Sequence, residues 1–240
     1  MKLQEGVHLH FIPTKKFTTN SIKIRFAAPM KKDTVAGRVL VANILEIANA
    51  DYPTSLAFRR RLAELYGARF SSSISRRGQV HFIDLTISFI GEEHLLEGDS
   101  LLEKVLAFLK AILFKPLAHK NAFDQHVFEI EKKNLISYLE SEIEDNFYHA
   151  DKELNSLFYQ DSNMKIPRVA TKELVEKETA SSWTPKNLYA VDNVNVAQGP
   201  RTGVSGAAGK RESFMNAKKD REPLATIIQD AYEARAHELA

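Results

Sequence analysis

An α+β fold, with helices packed on one face of a mixed or antiparallel sheet, is what this sequence predicts, and three features predict it. Segments of alternating apolar residues bounded by glycine or proline read as strands. Segments with apolar residues every three or four positions read as helices, and the two kinds follow one another in pairs along the chain. With 240 residues, 44% of them hydrophobic and 27% charged, the chain can bury one large core.

The first two strands are 7–12 and 21–27, closed by Pro13 and Pro29. Residues 34–48 follow as a helix in which Val35, Val39, Leu40, Val41, Ile44, Leu45 and Ile47 leave almost no polar side, which predicts a central helix covered on most faces. Thr54 or Ser55 caps the next helix, 56–66, and Gly67 supplies its left-handed stop. Residues 69–75 form a strand that Arg76, Arg77, Gly78 and Gln79 turn back into 80–90. There Ile83, Leu85, Ile87 and Phe89 alternate with Asp84, Thr86 and Ser88. Three helices come next: 100–114, halted before Pro116; 121–159, long, amphipathic and rich in Glu and Lys; and the shorter 171–179. From 183 to 217 no strand alternates convincingly, 198–210 has the composition of a linker, and 224–239 fits a last helix. The predicted division is a domain over 1–182 and a divergent, partly flexible tail over 183–240.

Composition narrows function. The 33 Lys and Arg against 31 Asp and Glu leave a net charge of +2, with no basic run longer than three, so a clustered phosphate-binding surface and nucleic acid are not implied. The absence of cysteine removes disulfides, thiolate metal sites and cysteine nucleophiles together. No signal-like apolar stretch opens the chain and no 18-residue uncharged apolar run occurs, so a cytoplasmic protein without membrane partners is expected.

Familiar motifs fail when tested. The glycine-rich stretch 203–211 lacks a preceding strand, and Val204 and Arg211 stand where a phosphate loop needs glycine and a hydroxyl residue. Ser205 is followed by Gly206 and Ala207, which is not a nucleophile elbow. His8 and His10 share a strand face without an evident third donor, His126 and Glu129 lack a second histidine, and His149 with Glu153 reads as a salt-linked helix face. Within the apolar helix, Asn43 and Glu46 share one side, and a carboxylate there needs a partner or an edge position.

Read together, the N-terminal strand pair, the helix ending in Ile44-Leu45-Glu46, the segment Tyr52-Pro53-Thr54-Ser55-Leu56 and the passage from Leu62 through Tyr66-Gly67-Ala68 to Ser71 resemble the insulinase/pitrilysin zinc metallopeptidases. The likeness spans about residues 1–182. It is nearer to a bacterial non-catalytic branch associated with the 5-aminopentanol modification of elongation factor P, and it implies an insulinase-like half-domain. In active members an inverted His-x-x-Glu-His motif binds zinc and activates water. Laid over this sequence the motif falls on Asn43, Glu46 and Ile47, and only the glutamate matches. The third ligand would fall within 131–140, one register placing Tyr138 there.

The resemblance thus implies no catalytic residues, no metal and no cofactor. It implies a pseudoenzyme that completes a peptide-binding chamber with an active-type homologue, or by self-association. Two other readings stand beside it: a zinc peptidase with displaced ligands among His8, His10 and His126, and a truncated product without a function of its own. Members of the branch are about twice as long, so the tail is read as a frame change or truncation that replaces a sheet strand and leaves an exposed edge.

Overall fold

The computed structural model describes residues 6–14, 16–95, 100–119 and 122–183, together with the backbone of 2–4 and 193–199. The elements are β1 (Lys2–Gln4), β2 (Val7–Phe11), β3 (Thr19–Pro29), α1 (Val35–Ile47), α2 (Ser55–Glu64), β4 (Arg69–Arg77) and β5 (Val80–Ile90). After them come α3 (Leu101–Phe114), the short pair β6 (Ala118–His119) and β7 (Ala122–Phe123), α4 (Gln125–Ile143), α5 (Asn146–Phe158), α6 (Lys172–Glu176) and β8 (Asn193–Gly199). The main sheet has the order β1-β2-β8-β3-β5-β4. Its β2–β8 pairing is parallel and the others are antiparallel, so the sheet is mixed.

Strand alternation decides which side the helices cover. Ile22, Ile24 and Phe26 of β3 and Ile83, Leu85, Ile87 and Phe89 of β5 are buried in one apolar core with α1, α3 and α4. α1 packs on β4 and β5, α4 packs on α1, and α6 touches both helices. The opposite face keeps a polar link: Arg25 and Asp84 sit directly across β3 and β5, and Nε and Nη2 donate to the two carboxylate oxygens at 2.6 Å each. Asp84 is buried there because this bidentate pair, and Lys23 at 3.6 Å, replace its water.

Helix ends follow their capping residues. Thr54 accepts from the Ala57 amide at 3.1 Å to start α2, and the chain leaves it through Tyr66 and Gly67, both at positive φ. The helix expected over 121–159 is two. Its start at Asn121 lies outside the described residues, and the chain breaks at Glu144 and Asp145. Asp145 accepts from the amides of Phe147 and Tyr148, which opens a new helix rather than continuing the old one.

The region expected to hold no strand holds one. Asn193–Gly199 lies between β2 and β3, parallel to the first from Val7↔Val194 to Phe11↔Gln198 and antiparallel to the second from Ser21↔Gly199 to Ala27↔Asn193. Its Asn and Gln content is poor for a strand, and two neighbouring strands supply the pairing that propensity does not. The exposed edge expected from the tail is therefore filled at this place, and the outer strands of the sheet are β1 and β4. Trp183, placed at the start of the tail, belongs to the core, with its indole against Gly37 of α1. The stretch 203–211 and the helix expected over 224–239 lie outside the described residues.

Candidate functional site

Three successive inward turns of α1, at Val39, Asn43 and Glu46, form one wall of a cavity of about 380 Å³. Ser72, Ser73 and Ile74 of β4 form the second wall. Asn134, Leu135 and Tyr138 of α4 form the third, and Arg168 with Val169 closes the rim. Two of the three expected motif positions, Asn43 and Glu46, therefore face the cavity. Ile47 is half-buried and is not among its lining residues. Tyr138 stands opposite α1, where one register of the resemblance places the third ligand.

One oxygen of Glu46 is already occupied. Its Oε2 accepts from the Ser72 amide at 2.9 Å and from the Ser72 hydroxyl at 2.6 Å. Because β4 is an outer strand, alternate backbone groups along it have no strand partner, and two of them are met by side chains. Glu46 takes the Ser72 N–H, and the Arg168 guanidinium donates to the Ile74 carbonyl at 3.4 Å. The carboxylate that would activate water in a peptidase here caps a sheet edge.

Glu131 lies one helical turn before Asn134 on α4. Burial, and to a lesser degree the Glu46 carboxylate, raise its pKa, while a 3.0 Å hydrogen bond from the Asn134 amide opposes the rise. Tyr138 donates to Glu142, and that bond, followed by burial, holds the phenol above its ordinary range. Behind the cavity, His81 is buried with Arg38, a pairing that sequence patterns did not single out. Arg38 Nε donates to His81 Nδ1 at 3.2 Å, and His81 Nε2 lies 2.9 Å from the Arg168 carbonyl. An Nδ1 that accepts leaves the proton on Nε2, so the ring is the neutral tautomer donating to Arg168. Burial first, and the Arg38 charge second, lower its pKa to about 4.

Zinc does not fit this donor set. The ion needs at least three good protein ligands, and the cavity offers one carboxylate with an oxygen bonded twice, beside two amides, two hydroxyls, a phenol and a guanidinium whose charge repels a cation. Among the described residues no group of three or more His, Asp or Glu is placed to hold a metal. His8 and His10 share the face of β2 opposite buried Val7 and Leu9, while His126 and His149 are exposed on α4 and α5. Hydrogen bonding to a polar chain is within the reach of the amides and hydroxyls. Ser72, Asn134 and Arg168 were missed in the sequence because each gains its role only where strand edge, helix and loop meet.

No family model matches the chain. It is similar to the probable inactive metalloprotease YmfF of Bacillus subtilis (strain 168), with 29% identity over 149 residues, 62% of this chain and 35% of that protein. A conserved protein from Enterococcus faecalis V583 superposes with a TM-score of 0.79 at 33% identity, over 82% of this chain and 47% of that one. The peptidase M16 inactive domain from Pseudomonas fluorescens superposes with a TM-score of 0.68 at 15% identity, over 95% of this chain and 50% of that one. The chain thus spans half or less of the length of these relatives. Among the described residues no helix is long and apolar enough to cross a membrane. The α+β fold, with its central apolar helix on a mixed sheet, is that of M16-like peptidase domains.

Proposed function

We propose that this chain is a non-catalytic homologue of the insulinase-type peptidases and acts as a partner subunit, shaping a peptide-binding chamber together with an active-type homologue. The observation that carries this reading is the double hydrogen bond from Ser72 to Glu46, on a helix with Asn43 and Ile47 where the resemblance places imidazoles. A general base must be free to take a proton from water, and a Lewis acid must have ligands. With Asn43 and Ile47 in those places the cavity lacks the ligands a Lewis acid needs, and one oxygen of Glu46 is tied to Ser72, yet its amides and hydroxyls can hold an extended peptide. Likeness to a probable inactive metalloprotease supports the same reading. The link to elongation factor P modification is the finer part of the proposal and rests on the resemblance alone.

Metal content and co-purification test it together. The purified chain is expected to carry no stoichiometric zinc and to co-elute with an insulinase-type homologue expressed beside it. A monomer that captures no such partner would sink the reading, and zinc lost on substitution of His8, His10 or His126 would replace it with the displaced-ligand peptidase.

A further inference from the structure

A second cavity, of about 260 Å³, opens between α5 and the segment 164–168, and it shares Arg168 with the first. Arg76, Lys152, Lys165 and Arg168 line it against one carboxylate, Asp151. That local excess of +3 is larger than the +2 of the whole chain, so cations converge here that the composition does not require.

The charge is not neutralised from within. Arg76 is fixed by neutral acceptors, its Nη1 donating to the carbonyls of Met164 at 2.9 Å and Ile166 at 2.5 Å. Arg168 reaches a carbonyl as well. None of the four cations forms an ion pair with a described carboxylate, although Glu173 feels Lys152 from beyond pairing distance. Asp151 is itself engaged, accepting from Asn155 at 2.9 Å. Uncompensated cations around a concave surface attract an anion, and the low-dielectric walls focus that attraction.

Size and lining decide which anion. Ligand pockets for whole small molecules run to roughly 300–1,000 Å³. At about 260 Å³ this one suits one or two side chains rather than a nucleotide. Met164, Ile166 and Pro167 give an apolar floor for methylene groups, and Tyr148, whose phenol burial and then the neighbouring Glu142 carboxylate push up to about 12, stays neutral beside it. A carboxylate on a short aliphatic stem matches the cationic rim and the apolar floor together. We infer that this cavity seats acidic side chains, so that the peptides the chain holds are rich in Asp or Glu. The inference rests on the peptide-holding reading above and adds the substrate class.

Fluorescence anisotropy on the full chain tests it with three labelled probes at low ionic strength: a glutamate-rich peptide, its glutamine isostere, and a single-stranded oligonucleotide of equal charge. The acidic peptide is expected to bind about tenfold more tightly than the isostere, with the gap closing as salt rises. The exposed pair Lys152→Gln and Lys165→Gln is expected to erase most of that gap. Asp151→Asn is expected to tighten binding, a direction that misfolding cannot imitate. Equal binding of peptide and isostere overturns the inference and leaves the peptide-holding reading standing. Unchanged affinity in the double variant, or tighter binding of the oligonucleotide, overturns it too, and binding of neither peptide overturns both.

Discussion

Half-buried Glu46 and buried His81 show two ways in which a polar side chain inside the fold is made tolerable. Glu46 gains two donors from Ser72 at a strand edge, while His81 gives up its charge and is held neutral between Arg38 and the Arg168 carbonyl. The second arrangement has a consequence for acid stability. An unfolded histidine takes up its proton near pH 6.5 and the folded one only near 4, so stability is full above about 6.5 and is lost as pH falls toward 4. The loss from this group is about 3 kcal/mol. Urea midpoints at pH 7.5 and 4.5 should differ by much less in His81→Asn than in the parent chain. For Glu46 the decisive variant restores what is missing. Asn43→His, Ile47→His and Tyr138→Glu together should confer stoichiometric zinc, read by metal analysis, and a triple variant without metal would refute the register placed on α1 and α4.

At the scale of elements, short-range chemistry sets where helices stop, and one close contact sets how deep α1 lies. Asp145 cuts a continuous amphipathic pattern in two because its side chain satisfies the first amides of α5. No residue of α5 is buried, so that cap matters more there than in a packed helix. Asp145→Ala should cost α5 about 1 kcal/mol, visible as faster limited proteolysis within 144–158 and little change in global unfolding. Gly37 is the opposite case. A Cβ at that position would come within 1.5 Å of the Trp183 indole, so Gly37→Ala must displace the ring or the helix. It should destabilise the protein by about 1–3 kcal/mol and shift the emission of the single tryptophan.

Across the whole molecule, the sheet is completed by its most distant strand. β2 and β3 are neighbours in sequence but are separated by β8, whose backbone is paired on both sides. A proline at Val196, opposite Leu9 and Ile24, removes a donor from an interior strand. It should cost about 3 kcal/mol or more in thermal unfolding and expose two edges that promote aggregation. A variant as stable as the parent would show that β8 contributes little to the sheet. The same architecture brings β4 to an outer position, where the Glu46 and Arg168 side chains meet its backbone and where both cavities open.

Most of the layered fold was legible because it rests on periodicity. The apolar surround of 35–47, the alternation through 83–89 and the caps at Thr54 and Gly67 are local patterns, and each appears where the residues place it. Asn43 and Glu46 were legible as neighbours for the same reason, being less than one helical turn apart. Tertiary structure alone decided that Ser72 would occupy Glu46, that Arg38 and His81 would share a buried bond, and that 193–199 would enter the sheet. Those outcomes join residues far apart in the chain, and the free energy that selects them comes from partners whose positions no local pattern encodes.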